Sequence, residues 1–189
     1  MGNDRVDSTI SLENYPKLTC PSCRLPVSKG EKFFICSACG ARYPIVDDIP
    51  DFRGNNEYWC NVSREKMRLV NEKAKETGDW LMAASSLIPE YAGHFTGFER
   101  ADAQYIWPIN SQSIVLDAGS MWGGLTIPVA QHVKEVFAVD KTVETLSFLK
   151  IRAKQMAFNN IYPMAATLER LPFEDNYFDL VILNGVLEW

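Results

Sequence analysis

Apolar and polar residues alternate in blocks along the second half of the chain, and each block predicts one element. Four apolar runs predict short strands, with the sequences SIVLDAGS, EVFAVD, IYPMAAT and FDLVILNG. The segments GGLTIPVAQHV and TVETLSFLKIRAKQMAF, which follow the first two runs, are predicted helices. This alternation predicts an α/β fold, part of a Rossmann-like, doubly wound parallel sheet.

The ends of these predicted elements contain the first candidate site residues. The first strand ends at Asp117 and the second at Asp140, and Thr142 is a candidate N-cap of the second helix. In doubly wound sheets, ligands bind beyond the carboxyl ends of the strands, where the strand order reverses. We therefore expect a ligand near the two aspartates.

A different pattern precedes the sheet. Met67, Val70 and Ala74 have helical spacing, with charged residues between them. They predict a helix over residues 63–76 that ends at Gly78.

The aromatic segment IPEYAGHFTGFERADAQYIWPI, which contains His94, follows this helix. It has two interpretations: a lid or part of a substrate pocket, or packing between domains, and we favour packing. It completes a helical connecting region that we place at residues 56–110. No catalytic residue is assigned from this segment.

Composition limits the class of protein. The 189 residues are 47% hydrophobic, 23% charged and 12% aromatic, which is typical of a soluble globular protein. No apolar run reaches the roughly 18 residues of a membrane-spanning helix. Residues 1–16 lack the apolar core of a secretory signal, so they are interpreted as a flexible lead-in, and the expected location is the cytoplasm.

Charge bears on the choice of partner. The formal net charge is −5, and a chain that binds nucleic acid needs a positive surface. A local patch of Lys150, Arg152 and Lys154 could supply one, but a solvated helix face is the favoured interpretation of these residues. A nucleic-acid partner is therefore not favoured.

Four cysteines form the most specific pattern in the chain. They stand in two C-x-x-C pairs, CPSC and CSAC, at Cys20, Cys23, Cys36 and Cys39. Two such turns can supply four thiolates to one tetrahedral structural zinc ion, with no coordination position left for substrate. Two disulfides or unrelated buried cysteines are the alternatives, and the expected reducing compartment disfavours disulfides.

The residues after the second pair, YPIVDDIPDF, extend this pattern. Together with the cysteines they resemble the small zinc ribbon of methyltransferase activator subunits, which also occurs at the N-terminus of some methyltransferases. We place this ribbon at residues 17–55. A unit of this size buries too little surface to fold alone, so the zinc is expected to be structural. Cys60 has no partner in the sequence and is interpreted as a buried or unreactive thiol.

The glycine-rich turn LDAGSMWGG joins the first strand to its helix. Such a turn lets a ligand approach the backbone and the helix N-terminus. Asp140 stands 21 residues after Gly119, the position of an acid that accepts hydrogen bonds from ribose hydroxyls.

The turn resembles the D-x-G-x-G-x-G pattern of class I S-adenosylmethionine-dependent methyltransferases. The segment LERLPFEDNYFDLVILNGVLEW resembles a later signature of the same family. We therefore interpret residues 111–189 as the S-adenosylmethionine-binding half of a methyltransferase domain. The resemblance implies a set of cofactor-binding residues: Asp117, Gly119, Ser120, Gly123, Asp140, Lys141, Thr167, Leu168 and Asn184.

Two residues depart from the family pattern. Met121 replaces the middle glycine. If that position needs a positive φ, the side chain costs about 1–2 kcal/mol, so we expect either that the turn is right-handed there or that the cofactor sits slightly farther out. Thr167 stands where an acid commonly contacts the adenine amino group. Weaker cofactor binding is expected from these departures.

The family's sheet has seven strands in the order 3-2-1-4-5-7-6, and only four are predicted here. The resemblance therefore implies a fragment, or a half that a partner chain or a missing C-terminal half completes. The implied activity is methyl transfer from S-adenosylmethionine to an unknown acceptor, with a small molecule, lipid or sugar favoured. The alternatives are an rRNA or tRNA methyltransferase and a non-catalytic module of zinc ribbon and cofactor-binding remnant.

Overall fold

The computed structural model describes residues 12–55, 57–96 and 107–186. Residues 1–11 of the predicted flexible lead-in lie outside the described residues. Leu12–Asn14 form a single 3-10 turn, and Tyr15 packs edge-on against Tyr162 with 5.3 Å between the ring centres. Tertiary packing therefore begins within residues 1–16, which we interpreted as a flexible lead-in.

The cysteine-rich region, residues 17–55, contains a small antiparallel sheet. Its strands are β1 (Ser28–Lys29), β2 (Phe33–Ile35), β3 (Arg42–Val46) and β4 (Ile49–Pro50), and they pair in chain order. Asp47 and Asp48 join β3 to β4 with φ angles of +52° and +55°, the backbone of a tight hairpin turn.

Three helices follow: α1 (Arg64–Thr77), α2 (Trp80–Leu87) and α3 (Ala92–Thr96). The Ser63 side chain accepts a hydrogen bond from the Lys66 amide, and Gly78 ends α1 with φ +67°. These two caps confirm the predicted bounds of α1 to within one residue. The sequence analysis did not predict α2, whose N-cap Asp79 accepts from the Met82 amide at 2.8 Å.

The remaining elements form the predicted parallel sheet. Its strands are β5 (Ile114–Ala118), β6 (Glu135–Asp140), β7 (Ile161–Ala165) and β8 (Leu180–Leu183), and its helices are α4 (Thr126–Ala130) and α5 (Val143–Gln155). The strand order β7-β6-β5-β8 equals the first four positions of the expected order. The helix α4 begins three residues later than predicted because the left-handed backbone at Gly123, φ +85°, delays its start, and it ends at Ala130, three residues earlier than predicted.

Alternate side chains of the parallel sheet point to two different faces. One face packs against α4 and α5 through a cluster that includes Val136, Leu146 and Leu149. The opposite face packs against the cysteine-rich region through a second cluster. Phe137 lies in that second cluster and stacks on Tyr162 at 4.8 Å. Among the described residues, the cysteine-rich region thus covers a face that helices cover in a doubly wound fold.

The two edges of the parallel sheet differ. At one edge, the Phe52 amide donates to the Ala165 carbonyl at 2.7 Å, so the chain leaving β4 extends the sheet beyond β7. At the other edge, β8 pairs only with β5 among the described strands. Val181 and Leu183 of β8 are 47% and 44% exposed, as expected for an open edge strand.

A further cluster joins the connecting helices to α5. Its buried residues include Met67, Ala84 and Phe148. Within the described part of the chain, no helix has both the length and the apolar composition needed to cross a membrane.

Candidate functional site

The glycine-rich turn after β5 has three residues with positive φ. Gly119 and Gly123 have φ +85°, and Met121 has φ +46°. The right-handed alternative for Met121 is therefore wrong, and its left-handed backbone has an expected cost of about 1–2 kcal/mol. The Met121 amide donates to Asp140 Oδ2 at 3.0 Å, and this hydrogen bond offsets part of that cost.

The two glycines face different surroundings. A Cβ on Gly119 would lie 2.3 Å from Val186 Cγ2, at the wall of a cavity. A Cβ on Gly123 would lie 2.3 Å from Leu149 Cδ1, in the packing against α5. Gly119 is therefore placed to bind a ligand, whereas Gly123 lets the turn pack on the helix.

Asp140 ends β6 with a buried carboxylate that backbone groups hold in place. Its Oδ1 accepts from the Thr142 amide at 2.8 Å, and its Oδ2 accepts from the Met121 amide. Burial raises the pKa of this carboxyl, and the amide hydrogen bonds oppose that shift. Each carboxylate oxygen has two lone pairs, so both can still accept from a ligand hydroxyl.

Thr142 directly precedes α5, as predicted, but its side chain does not cap the helix. Its Oγ1 donates to the Trp59 carbonyl at 2.9 Å and accepts from the Trp59 amide at 3.1 Å. The sequence pattern could not reveal this bond because the two residues are 83 positions apart.

Asp117 and Ser120 lie beside the turn. Asp117 is 3% exposed and accepts from Thr126 Oγ1 at 2.6 Å. Burial, the largest cause, raises the pKa of Asp117 to about 6. The buried Ser120 Oγ has no hydrogen-bond partner among the described residues, although it lines the cavity. An unpaired buried hydroxyl at a cavity wall is a group that a polar ligand can satisfy.

A cavity of about 990 Å³ opens at the carboxyl ends of the strands. Most of the predicted cofactor-binding residues line it, namely Asp117, Gly119, Ser120, Asp140, Lys141, Leu168 and Asn184. Gly123 and Thr167 are not among the lining residues. The cavity lining therefore does not support the predicted ligand contacts of Gly123 and Thr167. Gly123 packs against α5 instead.

Thr167 instead stands two residues before an acid that the sequence pattern did not indicate. It precedes the 3-10 turn Leu168–Arg170, which contains Glu169. The Glu169 backbone amide, first, and the Thr167 hydroxyl lower the pKa of the Glu169 carboxyl. Glu169 lines the cavity, so an acid is present on this wall two residues after the expected position.

The opposite wall comes from the connecting region. Its lining residues are Trp59, Glu90, Gly93 and His94, and Trp122 of the glycine-rich turn lies beside them. The Tyr91 and Trp122 rings are 5.2 Å apart, and the His94 and Trp122 rings 6.4 Å. The segment therefore does both things that we considered: it packs against the sheet domain and it lines a pocket. The rest of this segment, residues 97–106, lies outside the described residues.

The four predicted cysteines converge in the cysteine-rich region. Their Sγ atoms all lie within 4.8 Å of one another. The Cys20–Cys39 and Cys23–Cys36 sulfur pairs are 3.6 and 3.5 Å apart, far beyond the roughly 2.0 Å of a disulfide. Four thiolates about 2.3 Å from one zinc ion would be about 3.8 Å apart, so the cluster is compatible with a zinc site.

Tyr43 supports this cluster from outside. Its hydroxyl lies 3.1 Å from Cys20 Sγ, a hydrogen bond that helps to stabilise a metal-bound thiolate. Its ring packs against Phe52 at 4.7 Å, which connects the cluster to the buried face of the parallel sheet. Cys60 lies outside the cluster and is half-buried, and burial raises the pKa of its thiol. A protonated thiol is a poor nucleophile.

Comparison with known families agrees with the geometry of the parallel sheet. Residues 115–189 match a family model described as "Methyltransferase domain". The matched residues make up less than half of the chain, and they include the glycine-rich turn and Asp140. The match supports an S-adenosylmethionine-dependent methyltransferase domain in this part of the chain. A search of curated proteins found no match.

Several solved structures resemble the chain. A Methanococcus maripaludis protein described as an S-adenosyl-L-methionine-dependent methyltransferase is 18% identical, with a TM-score of 0.48, over 70% of this chain and 56% of that one. Phosphoethanolamine N-methyltransferase 1 of Haemonchus contortus is 20% identical, with a TM-score of 0.43, over 62% and 24%. A dimethyladenosine transferase of Plasmodium falciparum is 27% identical, with a TM-score of 0.38, over 41% and 27%. The chain thus spans between about a quarter and just over half of these proteins, and with TM-scores below 0.5 they assign no substrate.

Proposed function

We propose that the chain binds S-adenosylmethionine in the cavity and takes part in methyl transfer to a small-molecule acceptor. The main support for this proposal is the arrangement of three groups around one cavity. A left-handed glycine turn, a buried carboxylate and an unpaired buried hydroxyl converge on one cavity at the carboxyl ends of β5 and β6. The match to a methyltransferase domain supports the same conclusion.

The residues present fit such a cofactor. Asp140 accepts hydrogen bonds from the ribose hydroxyls, since two backbone amides already hold its carboxylate at the cavity wall. Gly119 lets the ligand approach the backbone, and Ser120 Oγ gains a partner. Asp117 faces the methionine end, where a ligand ammonium would favour its ionised form. Leu168 and Glu169 form the wall beside the adenine.

The cofactor, when bound, supplies an electrophilic methyl group on a sulfonium. The protein's task is then to align an acceptor with that group and to exclude water. Glu90, His94 and Asn184 line the cavity and are candidates for contacting the acceptor. We assign no residue as a catalytic base.

Charge favours an acceptor without phosphate groups. The cavity wall contains four carboxylates, those of Glu90, Asp117, Asp140 and Glu169, and one lysine, Lys141. Phosphates would meet repulsion at this wall, whereas a neutral or cationic small molecule would not. The net charge of −5 argues in the same direction against RNA as the acceptor.

We further propose that the four cysteines bind one structural zinc ion and that the cysteine-rich region is a zinc ribbon. All four sulfurs would be ligands, so the metal would have no open position for substrate. Its role would be to hold the cysteine-rich region against the sheet.

Calorimetric titration with S-adenosylhomocysteine tests the cofactor assignment. We expect saturable binding at one site, weakened about tenfold or more by Asp140→Asn because ribose hydrogen bonds are lost. Asp175→Asn is the matched control, since Asp175 lies on the surface in a pair with Arg24. Absence of saturable heat in the wild-type chain would contradict the proposal.

Acceptor class is tested separately with S-adenosylmethionine and two panels of acceptors. One panel contains small amines, phenols and sugars, and the other contains tRNA and rRNA fragments. We expect release of S-adenosylhomocysteine only with members of the first panel. Turnover with RNA alone would overturn the acceptor assignment and leave the cofactor assignment intact.

A further inference from the structure

The chain that leaves the cysteine-rich region contains a buried ion pair. Arg53 donates from Nε to Asp51 Oδ1 at 2.8 Å and from Nη2 to Asp51 Oδ2 at 2.6 Å. Their side chains are 3% and 10% exposed. The two-pronged geometry fixes the guanidinium plane, because Arg presents a rigid fork of donors to a carboxylate.

The other side of this guanidinium contacts the turn that follows β6. Arg53 Nη1 donates to the Lys141 carbonyl at 2.5 Å and to the Glu57 carbonyl at 3.1 Å. Lys141 is the residue directly after Asp140, so Arg53 holds the backbone one residue from the carboxylate that lines the cavity. The contact joins residues 88 positions apart.

The same turn has a second attachment to the same segment. Thr142, two residues after Asp140, exchanges two hydrogen bonds with the backbone of Trp59. Arg53 and Trp59 therefore hold Lys141 and Thr142, respectively. The segment 51–59 is itself anchored to the parallel sheet through the Phe52 amide and the Ala165 carbonyl.

We propose that Arg53 is a positioning residue for cofactor binding, which fixes the turn at Lys141 and so presents the Asp140 carboxylate to the cavity. The inference rests on the proposed function as far as the identity of the ligand is concerned. The coupling between Arg53 and the position of the Asp140 carboxylate is a property of the ligand-free chain. Through Asp51 and Arg53, the order of the cysteine-rich region is transmitted to the ribose-binding end of the site.

Hydrogen exchange in the ligand-free, full-length chain tests the coupling directly. The Met121 and Thr142 amides both donate to Asp140, so their exchange rates report the position of its carboxylate. The double variant Asp51→Asn with Arg53→Met removes both charges and leaves no unpaired buried carboxylate. We expect these two amides to exchange about tenfold faster or more, since each loses part of a charged hydrogen bond.

A matched control separates a positioning role of Arg53 from a general loss of stability. Arg24 also joins the cysteine-rich region to the sheet domain, but its side chain hydrogen-bonds to the Leu171 and Phe173 carbonyls and to Asp175 rather than to the turn after β6. Arg24→Met should leave both amides protected as in the wild type. Unchanged exchange of the Met121 and Thr142 amides in the Asp51→Asn, Arg53→Met variant, with zinc content and circular dichroism as in the wild type, would overturn the proposal.

Affinity for S-adenosylhomocysteine gives a second readout. We expect the Asp51→Asn, Arg53→Met variant to weaken binding about tenfold in the wild-type background and by much less in an Asp140→Asn background, because both sets of changes remove the same ribose contact. Equal weakening in both backgrounds would contradict a role through Asp140. If the wild type does not bind this ligand, the proposed function fails, and the exchange experiment still decides the coupling.

Discussion

The two faces of the parallel sheet are covered in different ways. On one face, α4 and α5 follow directly from the strands they cover, and they pack through side chains such as Leu146 and Leu149. On the other face, the cysteine-rich region packs through Leu18, Phe34 and Phe52 against Phe137 and Met164. The first face uses local connections of the chain, whereas the second uses a region that ends nearly sixty residues before β5.

This difference indicates where the stability of the sheet originates. A helix has its own backbone hydrogen bonds, but strands of two to five residues do not form a stable unit alone. The buried aromatics of the cysteine-rich region belong to one cluster with those of the sheet. We therefore expect loss of the cysteine site to expose one sheet face while the helix-covered face stays packed.

The largest expected effect comes from removing a cysteine ligand. Cys36→Ser should abolish stoichiometric zinc binding and lower the melting temperature, since structural zinc contributes on the order of 10 kcal/mol. Metal analysis and a circular dichroism melt measure both. Cys60→Ser, which changes a cysteine outside the cluster, should retain one zinc per chain. A Cys36→Ser chain that keeps its zinc and its melting curve would refute the structural metal.

A pair of core truncations sharpens the contrast between the faces. Phe137→Ala on the cysteine-rich face and Leu146→Ala on the helix face both remove fully buried side chains. Each should lower the free energy of unfolding by about 2–5 kcal/mol in a denaturant titration. Only Phe137→Ala should also speed the loss of zinc to a chelator. Equal chelation rates in the two variants would show that the sheet and the cysteine site are not coupled.

The next largest effect is the pH dependence of stability that arises from Asp117, a buried acid on the helix-covered face of the sheet. Asp117 has a pKa of about 6 in the folded chain, above its ordinary 3.8, so the folded state binds this proton more tightly than the unfolded state. Its contribution to stability is therefore full below pH 4 and is lost as the pH rises to about 6, by about 3 kcal/mol in total.

Denaturant titrations of the wild type and Asp117→Asn from pH 4 to pH 7 check this sign. The wild type should lose stability relative to the variant over that interval. The asparagine keeps an oxygen that can accept from Thr126 Oγ1, so it is the conservative comparison. A difference between the two chains that stays constant with pH would contradict the raised pKa of Asp117.

The smallest expected effects distinguish the two left-handed glycines. Gly119→Ala should weaken S-adenosylhomocysteine binding about tenfold to a hundredfold, because a Cβ strains the turn at the cavity wall by about 1–2 kcal/mol or more. Gly123→Ala should instead lower the melting temperature more than the affinity, since its Cβ would meet Leu149. The reverse assignment of these effects, measured by calorimetry and thermal melts, would show that Gly123 is the ligand-binding glycine.

The sequence predicted those parts of the molecule that depend on local pattern. The order of the four strands, the caps of α1 and the convergence of the four cysteines all follow from residue types at short spacing. The lining of the cavity by Asp117, Gly119 and Asp140 is also local, because each ends a strand or occupies its turn.

Long-range contacts were not predictable in this way. No pattern indicates that the cysteine-rich region covers a sheet face, or that Arg53 reaches the Lys141 carbonyl. The sign of φ at Met121 stayed open because it depends on the hydrogen bond from its amide to Asp140. Glu169 was missed because it stands two residues after the position where the family pattern has an acid. The 3-10 turn Leu168–Arg170 contains it at the cavity wall.

The central claim is that the glycine-rich turn and Asp140 form one binding site for an S-adenosyl ligand. A crystal structure of the chain with S-adenosylhomocysteine tests it most directly. We predict that the ribose hydroxyls donate to the Asp140 carboxylate while the Met121 and Thr142 amides keep their hydrogen bonds to it. A ligand bound elsewhere, or an Asp140 carboxylate turned away from the ribose, would contradict this account.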